Sequence, residues 1–119
     1  MTKRVYKIAK TADWRQASSS GSGSFVGSAD DKRDGFIHLS AEHQLRGTLE
    51  KHFRGESDLV LIAIEAETLG SSLKWEVSRG GDLFPHLYGE IPIAETLWQR
   101  VLNLGLDGVP QLDQTWFAC

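Results

Sequence analysis

Two stretches of this chain carry polar side chains that neither a strand nor a helix needs for packing. The first, Gly35-Phe36-Ile37-His38-Leu39-Ser40, sets an imidazole and a hydroxyl two residues apart. On a strand that spacing sends both to one face, where they can wall a cleft. The second runs from Trp75 to Gly89 and crowds Glu76, Arg79, Asp82, His86 and Tyr88 among three glycines. Arg79 offers a planar fork for phosphate or carboxylate, Gly80 and Gly81 expose backbone N–H groups, and Asp82 can orient Arg79 or accept from a sugar hydroxyl. These are the parts of an anion or nucleotide site. Glu76, His86 and Tyr88 add a carboxylate, an imidazole suited to proton transfer and a phenolic donor, while Trp75 and Tyr88 offer stacking surfaces. A plainer reading stands beside this one: Trp75, Phe84 and Pro85 plug the core, Arg79 and Asp82 pair, Ser40 caps the next helix and His38 is a hydrogen-bonded strand residue.

Signatures of the common enzyme classes are missing. There is no phosphate loop ending in Gly-Lys-Ser or Gly-Lys-Thr, no His-Glu-x-x-His, no nucleophile elbow and no Cys-x-x-Cys. Cys119 is the only cysteine, so no intrachain disulfide can form and a metal site would have to use His and carboxylates. The 13 Lys and Arg are scattered among 16 Asp and Glu, for a net charge of −3, which argues against a DNA-binding face. No apolar run approaches the ~20 residues that span a bilayer, and the N-terminus leads into a strand-like segment, so a cytoplasmic protein without a membrane partner is expected.

The elements that must position these residues follow from periodicity. The 119 residues fit one domain. Arg4 to Ala9 alternates as a half-buried strand, and Thr11 starts a short helix through Asp13, Trp14 and Ala17. Ser18 to Ser24 reads as a flexible loop that could act as a lid, and Asp30 to Gly35 as a polar turn. Behind Ser40, a candidate N-cap, Leu45, Leu49 and Phe53 recur at four-residue spacing and predict a helix of about three turns that carries His43 and His52 as ordinary solvated or part-packed positions. Asp58 to Glu65 is the most apolar segment and predicts a central strand buried on both faces. Ala66 to Leu69 makes a helical turn stopped by Gly70, the 75–89 segment is a long loop, and Thr96 to Leu102 alternates as a strand. Strands and helices do not alternate regularly, so an α+β domain with a mainly antiparallel or mixed sheet, flanked by short helices, is predicted over a doubly wound parallel fold.

The Gly35–Ser40 stretch, the strand Leu59 to Ile64 and the run Trp75-Glu76 through Ser78-Arg79-Gly80-Gly81-Asp82-Leu83-Phe84-Pro85-His86-Leu87-Tyr88-Gly89 together resemble a bacterial and plant family, domain-of-unknown-function family 952, from about Val5 to Gly108. The family is grouped with ADP-ribosyltransferase-like folds, and Ile37-His38-Leu39-Ser40 is similar to the His-Val-His-Leu-Ser stretch of the RNA 2′-phosphotransferases, which use NAD. Where those enzymes carry Tyr-His-Gly-Thr on the first strand, this chain reads Tyr6-Lys7-Ile8-Ala9. The resemblance implies a transferase that acts on NAD, ADP-ribose or a phosphorylated RNA end. In it His38 meets the ribose, Glu76 stands for the late-strand glutamate of the group, and His86 completes the catalytic set. Ser40, Trp75, Arg79, Gly80, Gly81, Asp82 and Tyr88 contact the ligand. Two alternatives stay open: a non-catalytic module that senses a nucleotide or phosphorylated metabolite, and a metal-dependent hydrolase built on His38, His86 and a carboxylate.

Overall fold

The computed structural model describes residues 3–19 and 23–117, and of Arg79 the backbone alone. The middle of the Ser18–Ser24 stretch therefore lies outside the described residues, as does Cys119.

The most apolar segment becomes β4 (Leu59–Glu65), the middle strand of a three-stranded antiparallel sheet between β1 (Arg4–Lys10) and β8 (Trp98–Leu102). Its side chains feed two cores, one on each face, as a doubly buried strand requires. Val60, Ile62 and Ile64 join Val5 and Ala9 beneath Trp14, Phe25, Ile37 and Leu87, whereas Leu59, Leu61 and Ala63 join Tyr6 and Ile8 against Leu45, Leu49 and Val109. The helices are short: α1 (Thr11–Ser19), α2 (Ala29–Asp34), α3 (Leu45–His52) and α4 (Ala66–Leu69). The short strands β2 (Ser24–Phe25) and β7 (Ile91–Pro92) pair with each other. The last sheet has the order β3-β6-β5, from β3 (Ile37–His38), β5 (Leu73–Val77) and β6 (Leu83–Leu87). Every pairing is antiparallel, so the chain is one α+β domain of antiparallel sheets and short helices. Among the described residues no helix is long and apolar enough to cross a membrane.

Four local expectations need correction. The first strand is not half-buried: Val5 through Ala9 are all buried, Lys7 included, because Lys7 finds an ionic partner inside. The 75–89 segment is not a long loop but chiefly the β5–β6 hairpin, closed by a tight turn at Ser78–Asp82. Pro85 disguises β6, since a proline lacks the N–H a central strand donates. It is tolerated because β3 is only two residues long, and beyond it the Pro85 carbonyl accepts from Leu39 N at 3.1 Å. Ser40 does not cap α3, as its backbone bridges to Tyr6 and its Oγ meets Thr48 Oγ1 at 3.3 Å. The Gln44 side chain instead accepts from Ala41 N at 2.9 Å, ahead of α3.

The fourth correction matters most for the site. Asp30 to Asp34 lies within helix α2, started by a reciprocal capping box: Asp31 N donates to Ser28 Oγ, and Ser28 N donates to Asp31 Oδ2. Gly35, at φ 88°, ends it in the left-handed conformation that glycine adopts without strain. Ser28→Ala should therefore cost about 1 kcal/mol of stability, the scale of a lost N-cap. Urea titration of the variant would check it.

Candidate functional site

His38 and His86 are cross-strand partners in the β3–β6 ladder, so their side chains leave the sheet on one face. Phe36 stacks on His86 with ring centroids 4.1 Å apart and lies 4.6 Å from the His38 ring. Both histidines line a cleft of about 700 Å³ that also takes in Lys7, Asp31, Ser40 and Ser78. Alternation on β5 places Glu76 on this face as well, beside the Phe84 it pairs with.

Each imidazole is held through Nδ1 by a carboxylate. His86 Nδ1 lies 2.7 Å from Glu76 Oε1, which also accepts from the Tyr88 hydroxyl at 2.8 Å. The hydrogen bond from His86, then that from Tyr88, keeps the Glu76 carboxyl below its ordinary range, and the same contact pushes the Tyr88 phenol up. An ionised Glu76 only accepts, so the His86 proton sits on Nδ1 and Nε2 is left to exchange one with a ligand.

His38 Nδ1 lies 2.6 Å from Asp31 Oδ1, and Asp31 is the organising group of the site. It is 2% exposed and also accepts from His38 N at 3.0 Å and from Lys7 Nζ at 2.8 Å. Burial alone would push its carboxyl up, but the hydrogen bond from His38 and the charge of Lys7 hold it far below the usual carboxylate range. Lys7 is the mirror case. Burial pulls its ammonium below the ordinary lysine range, and Asp31 opposes that shift. Lys7 Nζ also donates to the His38 carbonyl at 3.2 Å, so the pair fixes both the ring and the backbone of His38.

The residues expected from sequence separate into groups. His38, Ser40 and His86 share the cleft wall, with Glu76 hydrogen-bonded to His86 and Tyr88 hydrogen-bonded to Glu76. Trp75 is not with them. It faces the other side of β5, against the core, with Lys3 Nζ 4.6 Å from its ring centroid. Asp82 is not among the residues that line the cleft. It accepts from Gln44 Nε2 at 2.8 Å and lies 3.1 Å from His43 Nε2, latching the hairpin tip to the turn before α3. Gly80 and Gly81, at φ 71° and 80°, form the hairpin turn, and Gly81 N is spent on the Ser78 carbonyl at 3.0 Å. The expectation for the Arg79 side chain lies outside the described residues.

The sequence reading missed Asp31 and Lys7. The signal for Asp31 was the Ser28-x-x-Asp31 spacing, which marks a helix start and so a fixed carboxylate. Lys7 gave none, because a lysine on an alternating strand looks like a solvent-facing position. Among the described residues no group of three His, Cys, Asp or Glu is placed to hold a metal ion.

Comparison with known proteins bears on the fold and the family. The crystal structure of protein CC0527 from Caulobacter crescentus is 50% identical, covering 97% of this chain and 99% of that one, with a TM-score of 0.90. A doubly substituted form of the same protein matches at 49% identity and a TM-score of 0.90. Its solution NMR structure matches at 51% identity over 94% of this chain and 95% of that one, with a TM-score of 0.82. No curated protein matches the chain. The model of the family described as "Protein of unknown function (DUF952)" matches residues 8–99, and the chain belongs to that family.

Proposed function

We propose that the cleft takes a phosphorylated nucleoside, with NAD, ADP-ribose and a phosphorylated RNA end as candidate ligands, and that the Glu76–His86 pair moves a proton on it. One observation carries this reading: His38 and His86 stand opposite each other on paired strands, each gripped through Nδ1 by a carboxylate, in the wall of one cleft. A volume of about 700 Å³ suits a ligand of nucleotide size. Glu76 fixes the ring and proton position of His86, the arrangement general acid–base catalysis uses. On this reading the fold is of the ADP-ribosyltransferase-like kind that the Ile37–Ser40 motif resembles, and NAD is a substrate. His38 meets the ribose, Ser40 lies beside it, and Arg79 with the Gly80 backbone meets phosphate.

A specific observation favours a second reading, a non-catalytic nucleotide-binding module. Lys7 and both ring nitrogens of His38 are already engaged by carboxylates, which suits fixed recognition better than proton transfer by His38. Turnover separates the two readings.

Calorimetric titration with NAD, ADP-ribose and a 2′-phosphorylated RNA end, followed by product analysis, tests both. Arg79→Ala should weaken binding by on the order of 2 kcal/mol with little change in melting, the scale of a lost charge-assisted hydrogen bond. Arg79→Lys should recover only part, since lysine keeps the charge without the fork. Binding without product selects the module, and no binding at millimolar ligand rejects both readings.

A further inference from the structure

The side chain of Asp34 lies in the cleft lining, against both Arg33 and His38. It is the last residue of α2, and its two carboxylate oxygens bridge two donors: Oδ2 lies 2.9 Å from His38 Nε2 and Oδ1 lies 3.2 Å from Arg33 Nε. Asp31 and Asp34 are both drawn below the usual carboxylate range, and an ionised carboxylate only accepts. The two His38 ring nitrogens thus face one carboxylate each. The two carboxylates differ in mobility. Asp31 is buried and fixed by four donors, whereas Asp34 is on the surface, in the cleft lining, and can swing into water by a side-chain rotation alone. Arg33 keeps a second carboxylate contact without it, since Asp30 Oδ1 lies 3.0 Å from its Nη1.

We propose that His38 Nε2 and the Arg33 guanidinium form an oxyanion subsite for a phosphate group, and that Asp34 is a built-in competitor that the phosphate displaces. The inference rests on the reading that the cleft takes a phosphorylated ligand, and it deepens that reading by moving His38 from the ribose to one phosphate, with Arg79 left to the other phosphate of a diphosphate. A phosphate fits better than a carboxylate, because it carries more charge and a third oxygen beyond the two that His38 and Arg33 occupy. Removing Asp34 therefore strengthens binding, the reverse of what deleting a ligand contact does.

The test is an NMR titration of the labelled protein with inorganic phosphate and with ADP-ribose at constant ionic strength. The wild type is compared with Asp34→Ala, Asp30→Ala and the double variant Arg33→Ala/Asp34→Ala. Asp34→Ala should bind phosphate about tenfold more tightly than wild type, with shifts centred on His38 and Arg33, as one freed charge-assisted contact implies. Asp30→Ala changes the net charge equally but leaves His38 occupied, so its gain should be clearly smaller. The double variant should lose most of the gain. Equal affinity in Asp34→Ala and wild type, no measurable phosphate binding in either, an equal gain in Asp30→Ala, or shifts centred elsewhere would each overturn the proposal. Failure of the nucleotide reading looks different: phosphate binds tighter to Asp34→Ala at His38, while ADP-ribose binds no better than phosphate alone.

Discussion

Asp31→Ala should lower folding stability by about 3–5 kcal/mol, the scale of breaking a buried ion pair from one side. The cost arises because Lys7, 4% exposed, would keep its ammonium in the core without its partner, while Ser28 N and His38 N lose their acceptor. Lys7→Met/Asp31→Asn should recover part of the loss, since asparagine still accepts from one of the two backbone donors and no unpaired charge remains. Urea unfolding of the two single variants and the double would give the coupling energy. The pH dependence follows from the direction of the Asp31 shift. Its folded carboxyl lies below the ordinary value of about 3.9, so its contribution is complete above that value and is lost as pH falls below it. Wild type should therefore lose stability below about pH 4, and Lys7→Met/Asp31→Asn should show a shallower acid limb. Equal acid limbs would place the acid sensitivity elsewhere.

His86→Ala should reduce turnover of the responding ligand by about 10²–10⁴-fold, the range of general acid–base catalysis. Glu76→Gln should lower the rate as well, because an amide can still accept from Nδ1 but no longer supports the charge His86 gains on taking a proton. Tyr88→Phe should do least, since Glu76 keeps its bond to His86. Single-turnover rates, with binding measured alongside, separate a chemical role from a positional one. A rate unchanged in His86→Ala would remove it as the acid–base group.

What could be read from the sequence was whatever depends on neighbouring residues. β4 was legible because six successive apolar residues can only be buried on both faces. The helix at Thr11 and the turn stopped by Gly70 carried their own boundary residues. α2 carried equivalent marks in Ser28, Asp31 and Gly35, but its run of charges resembles a turn in composition. β6 was hidden by Pro85, and β5 by the glycines after it. In the site, His38 and His86 were legible as chemistry out of place on strands. Their carboxylate partners were divided: Glu76 sits in the same motif as His86, whereas Asp31 lies on another element from both His38 and Lys7. Trp75 was assigned to the cleft because strand alternation had not been applied to a segment read as loop. Once β5 is a strand, Trp75 and Glu76 must point to opposite faces.

The central claim is that the face carrying His38 and His86 receives a phosphorylated nucleoside. It is tested most directly by titrating ¹⁵N-labelled protein with ADP-ribose and mapping the perturbed backbone resonances. The account predicts saturable shifts clustered at Ile37 to Ser40 and Val77 to His86, with residues outside the cleft lining, such as Leu69, Ile91 and Val109, unmoved. Shifts confined to other surfaces, or none at millimolar ADP-ribose, would contradict it.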